Sequence, residues 1–264
     1  MRRVQGEELK KIQLGILDQV ADFCEKNDIN YWIDCGTLLG AIRHKGYIPW
    51  DDDIDIGMLR KDYERFSELF NDRDDQYRFI CAEKTLNAYY AHGKVLDTTT
   101  TLYEPDVNGY KTCINVDIFV YDNVPDEKMA EKMYDKRDKY RFFQGVRFAT
   151  EKPSGNALRR AMVYLFRYML KLLPKDYFIQ KMAGNAKQYR NQETKYVGNF
   201  TSFARMLCEK DVFDSFITAE FEGKAYKIPV GYDRWLKAFY GDYMQLPPED
   251  KRVSHHKFEA FVNE

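Results

Sequence analysis

Between Asp51 and Ile56 the chain reads Asp-Asp-Asp-Ile-Asp-Ile, and this run restricts its folding sharply. In a strand successive side chains point to opposite faces, so Ile54 and Ile56 can enter a core while Asp53 and Asp55 project together from the other side. On the same alternation Asp51 shares the aspartate face and Asp52 does not. Two adjacent carboxylates repel, and one takes up a proton unless a cation stands between them. Mg²⁺ meets that need, because it takes one or two carboxylates and completes its shell with water and substrate phosphates. A solvated acidic loop would not set isoleucines at alternate positions. A calcium hand is the sharper competitor, since Asp51, Asp53 and Asp55 fall at its first three ligand positions. That loop requires glycine sixth and glutamate twelfth, where this chain has Ile56 and Asp62. The pattern points to a strand-borne metal pair and to phosphate chemistry.

Upstream, Asn30 to Cys35 reads as a short strand, Gly36-Thr37 as a small-residue turn, and Leu38 to Arg43 as a brief helix. Such a turn lets a backbone approach a phosphate, because glycine leaves room and free amides point at the anion. Arg43, His44 and Lys45 follow, a positive group near the proposed metal. Downstream, Ile114 to Tyr121 alternates, with Ile114, Val116, Ile118 and Val120 on one face and Asn115, Asp117 and Phe119 on the other. An aspartate in so apolar a strand is costly to bury unpaired. Asp117 is either a hydrogen-bonded structural residue or a third carboxylate beside the first two, and the metal pair favours the third carboxylate.

The rest of the chain supplies a globular frame. With 44% hydrophobic and 31% charged residues, 264 residues suffice for one large domain or a domain with a helical extension. A net charge of −1 argues against bulk nucleic-acid binding. Five scattered cysteines without Cys-x-x-Cys spacing favour a reducing compartment over a disulfide framework or zinc site. Met1 to Lys11 has no apolar core, and no stretch approaches 18 apolar residues, so neither a signal peptide nor a membrane span is expected, and the protein reads as cytoplasmic.

The periodicity predicts helices over residues 4–28, Arg60 to Asn71, Asp126 to Thr150, Asn156 to Leu173, Asp176 to Gln192 and Tyr232 to Tyr240. Tyr77 to Cys81, Ala91 to Leu96 and Thr99 to Tyr103 read as strands, and Phe216 to Ile228 as a hairpin about Gly223. A last helix is expected after Pro247-Pro248; His255 and His256, being adjacent, would diverge on it and make a poor metal pair. The helix near residues 159–173 carries Arg160, Tyr164, Arg167 and Lys171 at helical spacing. That is either the solvated stripe of a core helix or a face for peripheral membrane contact.

Gly36 to Gly57, reading GTLLGAIRHKGYIPWDDDIDIG, resembles the signature of the LicD (lipopolysaccharide choline-phosphate transferase) family, related to fukutin-related protein. The likeness continues in NVDIFVYD around Asp117 and in GYDRWLKAFYGDYMQLPPE from Gly231 to Glu249. It implies an α+β, nucleotidyltransferase-like fold: a small mixed sheet flanked by helices, with a helical insertion and a C-terminal mixed segment. One transferase domain over 1–264 is expected, with its core at about 28–124, helical section at about 125–195 and C-terminal section at about 196–264. The resemblance implies Gly36-Thr37 as the turn, Asp53 and Asp55 as the metal pair, and Asp117 as metal ligand or base. It also implies Arg43, Lys45 and Lys94 as stabilisers of phosphate charge. The implied chemistry is transfer of a phospho-alcohol, most familiarly phosphocholine, from a CDP-activated donor to a hydroxyl of a glycan or lipid-linked glycan. Mg²⁺, or Mn²⁺ in its place, would assist, and CMP would leave. A nucleotidyltransferase of the same fold and a non-catalytic calcium- or glycan-binding module are the alternatives. A choline group would call for aromatic rings, for which Trp32, Trp50, Tyr89, Tyr90 and Tyr103 are available.

Overall fold

The computed structural model describes residues 1–73, 76–104, 110–149, 151–254 and 258–263. In chain order the first half runs β1 (Arg2–Val4), α1 (Glu7–Lys26), β2 (Trp32–Ile33), α2 (Cys35–His44), β3 (Asp55–Leu59), α3 (Arg60–Leu69), β4 (Tyr77–Ile80), β5 (Gly93–Asp97), β6 (Thr100–Glu104), β7 (Tyr110–Thr112) and β8 (Asn115–Val124). Then follow α4 (Glu127–Phe148), α5 (Ala157–Lys171), α6 (Tyr177–Ala186), β9 (Tyr196–Asn199), β10 (Met206–Glu209), β11 (Phe216–Phe221), β12 (Lys224–Pro229), α7 (Tyr232–Tyr240) and β13 (Glu259–Val262). This is an α+β arrangement.

The ten-residue strand β8 organises the main, seven-stranded sheet. Along one edge it pairs in parallel with β3. Along the other it pairs antiparallel with β5 through its first half and with β9 through its second. Ile114, Val116, Ile118 and Val120 are buried as the alternation requires, together with Ile54, Ile56 and Met58 from the β3 segment. Helix α1 packs on β5 and β8, and α3 on β3 and β8. The apolar stripe of α1, through Leu9, Ile16 and Val20, is the part that is buried.

Several expectations change. The acidic strand begins only at Asp55, because Asp51 turns back to donate its N–H to the Ile48 carbonyl at 2.8 Å. Gly36 and Thr37 lie inside the first turn of α2, which starts directly after the buried Asp34. The last helix is a strand instead: β13 pairs with β1 and with β6, completing a four-stranded sheet β1-β13-β6-β7. Glu259, Ala260, Phe261 and Val262 favour that pairing because alternate residues meet a sheet on one side only: Ala260 is buried and Glu259 is exposed. His255 and His256 lie outside the described residues.

Buried polar contacts tie α3, α2 and α7 to the central sheet. Arg60 makes a two-pronged ion pair with Asp122 at 2.7 and 2.8 Å, both side chains almost fully covered. The Asp34 carboxylate accepts from the Tyr121 hydroxyl at 2.5 Å and the Trp235 indole N–H at 2.9 Å, joining α7 to the central sheet. Burial pushes the Asp34 carboxyl up despite those donors. Tyr121→Phe should cost about 1–3 kcal/mol, since it strips a buried carboxyl of a partner. Urea melts test this, and an unchanged midpoint would mean that the Trp235 indole N–H alone suffices to satisfy the buried Asp34 carboxyl.

Candidate active site

The pairing of β3 with β8 sets Asp55 directly opposite Asp117, and the pairing of β8 with β5 sets Lys94 opposite Asp117 on its other side. Neighbouring strands lie about 4.8 Å apart and registered side chains share a face, so Asp55, Asp117 and Lys94 form a row across the sheet. The Lys94 ammonium donates to Asp117 Oδ1 at 2.5 Å and to Asn115 Oδ1 at 3.1 Å. His92 Nε2 lies 3.1 Å from the other Asp117 oxygen. Burial alone would raise Asp117, but the Lys94 ammonium and His92 outweigh it and hold the carboxyl well below the usual carboxylate range. Asp55 goes the other way. Burial, and then the charges of Asp53 and Asp117, push its carboxyl well above the usual range.

Helix α2 positions this row. The Asp55 N–H donates to the Thr37 hydroxyl at 2.9 Å, and the Asp34 N–H donates to the Asp55 carbonyl at 2.9 Å. The Thr37 hydroxyl is thereby committed to holding β3 against the start of α2. Gly36 faces the Asp51 carboxylate so closely that a Cβ there would sit 2.5 Å from Asp51 Oδ2. Any side chain at 36 would therefore displace Asp51. Carboxylate oxygens of Asp51, Asp52 and Asp53 converge to within 4.8 Å of one another, and Asp52 also accepts from the Ser254 hydroxyl at 2.7 Å. Asp52 thus joins its neighbours, contrary to strict alternation, because residues 51–54 precede the strand.

These groups open on a cleft of about 1030 Å³ whose one wall includes Gly36, Arg43, Asp51, Asp53 and Asp55. Its other wall is the segment after α7, with Tyr240, Pro247, Pro248, Lys251 and Arg252. Arg43 spans the two, donating to the Tyr243 carbonyl at 2.8 Å. Arg252 Cζ lies 5.7 Å from the Trp50 ring centre, and Arg252 Nε donates to the Pro247 carbonyl at 2.9 Å. Sequence reasoning did not select Lys251 and Arg252. Their only local signal is a pair of cations shortly after Pro247-Pro248.

Of the residues read from sequence, the structure gathers Gly36, Arg43, Asp53 and Asp55 at the cleft, with the buried Thr37 hydrogen-bonded to the Asp55 N–H and Asp117 and Lys94 beside Asp55. Lys45 stands apart: it ends α2 with a left-handed backbone and, well exposed, lies 3.6 Å from Glu220 of the β11–β12 hairpin. The aromatic candidates separate too. Trp32 stacks on Phe213 in the core, Trp50 lines the cleft, and Tyr103 lies on the small sheet. Tyr89 and Tyr90 pack with Tyr110, and the Lys94 ammonium sits 4.5 Å above the Tyr90 ring.

The donor set is entirely carboxylate oxygen, which suits a hard divalent ion such as Mg²⁺ or Mn²⁺. The raised Asp55 carboxyl supports the same fit, since a cation beside it would relieve the repulsion of Asp53 and Asp117.

Residues 28–151 match a family domain described as "LicD/FKTN/FKRP, nucleotidyltransferase domain", which gives the class of the core that carries these carboxylates. Over 277 residues the chain is 33% identical to "Lipopolysaccharide cholinephosphotransferase LicD" of Haemophilus influenzae, an alignment covering 99% of this chain and 100% of that protein. The chain belongs to the LicD family. It is also 40% identical over 50 residues to "Ribitol 5-phosphate transferase FKRP" of human and mouse, spanning 19% of this chain and 10% of each of those.

A folded carboxyl raised above its unfolded value keeps its proton while the unfolded chain has lost it, so stability falls as pH rises above about 4. In chelator, Asp55→Asn should therefore raise the melting temperature at neutral pH, by roughly 2–4 °C for each kcal/mol of repulsion removed. It should also flatten the loss of stability between pH 4 and 7. Thermal melts across pH decide this; a lower melting temperature for Asp55→Asn would refute the repulsion argument.

Proposed function

We propose that this chain transfers a phospho-alcohol group, phosphocholine in the first instance, from a CDP-activated donor to a hydroxyl of a cell-surface glycan precursor. The observation that carries the reading is the Asp55–Asp117 pairing at a cleft that also gathers Asp51, Asp53 and Arg43. The full-length likeness to a protein named as a lipopolysaccharide cholinephosphotransferase supports the substrate class, and the likeness to ribitol 5-phosphate transferases supports transfer of a phospho-alcohol more broadly.

In the reaction the acceptor oxygen bonds to the phosphorus that bears the alcohol, the bond from that phosphorus to the CMP oxygen breaks, and the hydroxyl proton passes to water. Mg²⁺ held by Asp53 and Asp55, with Asp51 or Asp117 completing the carboxylate set, would neutralise charge on the diphosphate and the departing CMP. Arg43, Lys251 and Arg252 supply fixed positive charge along the cleft for the same phosphates. The Lys94 ammonium keeps Asp117 ionised, which suits a ligand or an orienting group. A carboxylate held so far below its ordinary range is a poor proton acceptor, so Asp117 is not the favoured base.

Binding is tested by thermal shift with CDP-choline, CDP-ethanolamine, CDP-glycerol, CDP-ribitol, CTP and CMP, each with and without Mg²⁺. A ligand confined to the folded state raises the melting temperature by mass action. A Mg²⁺-dependent shift with one CDP-alcohol is expected; a shift with CTP alone would replace the reading with nucleotidyl transfer. With the donor so identified, Asp53→Asn and Asp55→Asn should each lower CMP release by at least about a hundredfold while remaining folded. Full turnover by either variant would remove these residues from the metal site.

A further inference from the structure

Helix α5 turns its apolar face outward. Of its residues Leu170 alone is buried, whereas Leu158, Met162, Leu165, Met169 and Leu172 are between 56% and 71% exposed. Their spacing of four, three, four and three places them in a single stripe along the helix. A core helix with a solvated polar stripe would show the reverse. The body of the protein holds α5 from another side: Arg147 donates to the Leu170 and Leu173 carbonyls at 2.7 and 2.8 Å, Phe166 meets Phe143, and Arg167 donates to the Glu151 carbonyl at 2.7 Å. The stripe is left free, and the exposed Phe142 of α4 adds to the apolar surface in this part of the molecule.

The charge of the helix is one-sided. Arg159, Arg160, Arg167 and Lys171 lie within it and no acidic residue does, in a chain whose net charge is −1. At 100° per residue Arg159 falls about 100° from the middle of the stripe, whereas Arg160, Arg167 and Lys171 gather on the opposite face, about 140–180° away. Tyr164 and Tyr168, both well exposed, stand between the stripe and that basic face. An apolar face, a tyrosine margin and a basic polar face are the layout of a helix that lies in a membrane interface. A second copy of this chain fits the stripe poorly. A two-fold contact would bring the same arginines and lysine together with no acidic partner on the helix. Crossing the bilayer is excluded by length, since fifteen residues extend only about 22 Å and no described helix is long and apolar enough.

We propose that α5 docks the protein on an anionic lipid surface, lying parallel to it with Leu158, Met162, Leu165, Met169 and Leu172 among the upper acyl chains. The inference is independent of the transfer reaction proposed above, because it uses neither the cleft nor its carboxylates. It goes beyond that reaction in specifying how the chain meets a membrane and by which face.

The test is sedimentation of the full chain with vesicles of phosphatidylcholine alone and of phosphatidylcholine containing about one third phosphatidylglycerol, at two salt concentrations. Binding at least about tenfold tighter to the anionic vesicles is expected, weakening as salt rises. Met162→Glu with Leu165→Glu should reduce it by about tenfold or more, and Arg160→Glu with Lys171→Glu should do the same. All four positions are solvent-facing, so melting curves should stay those of the parent chain. A Leu165→Trp reporter should shift its emission to the blue on anionic vesicles only. Equal binding by parent and Met162→Glu/Leu165→Glu overturns the proposal. So does a parent chain that is dimeric in solution, becomes monomeric with those glutamates, and ignores both kinds of vesicle.

Discussion

The parallel register of β3 on β8 is the constraint on which the rest of the structure depends. It puts Asp55 opposite Asp117, and β8 in turn puts Asp117 opposite Lys94. A slip of one residue would turn a whole strand over, carrying Asp117 away and exposing its isoleucines and valines. Those residues, Val116, Ile118 and Val120 with Ile56 and Met58, are buried almost completely. Hydrophobic burial therefore fixes where the charges stand, and the acidic row cannot drift without unpacking the core.

The same row divides its two aspartates by environment. Asp117 has the Lys94 ammonium on one oxygen and His92 beside the other, whereas Asp55 has other aspartates for company. One carboxylate is settled by the protein itself and the other stands among like charges, so the row carries its unbalanced negative charge at one end. The polar ties of Asp34 to Tyr121 and Trp235, and of Arg43 to the Tyr243 carbonyl, bring the far end of the chain over that end. The cleft is consequently assembled from segments some two hundred residues apart in sequence, as the separation of Arg43 and Tyr243 shows.

Much of this was legible in the sequence wherever a period carried it. The alternation of β8, the stripe of α1, and the hairpin about Gly223 appear as periodicity and turn chemistry predict, and Glu222 and Gly223 both take the positive φ such a turn needs. The separation of Asp55 from the buried Ile56 follows the same rule, whereas Asp53 and Ile54 take their places before the strand begins. What a period cannot carry is pairing. Nothing local to Lys94 announces that it faces Asp117, and nothing near Glu259 announces a strand, because β13 exists only through β1 and β6. Lys45 shows the opposite failure. Two residues from Arg43 in sequence, it is carried by a left-handed turn toward Glu220 and out of the cleft. For α5 the period was plain and its direction was not: an amphipathic pattern states that a face is apolar, not which side that face is on.

The wall formed by residues 240–252 arrives late in the chain, after every carboxylate of the cleft. Because a chain leaves the ribosome N-terminal end first, every carboxylate of the cleft emerges before the segment that forms its second wall. At the measured pace of roughly 5–20 residues per second, several seconds or more separate the emergence of Asp117 from that of Lys251. During that interval the nascent chain would offer an open acidic patch, able to gather a divalent ion yet without the second wall of its cleft. Until that segment is made, the carboxylates of the cleft lack the cations of Lys251 and Arg252 across from them.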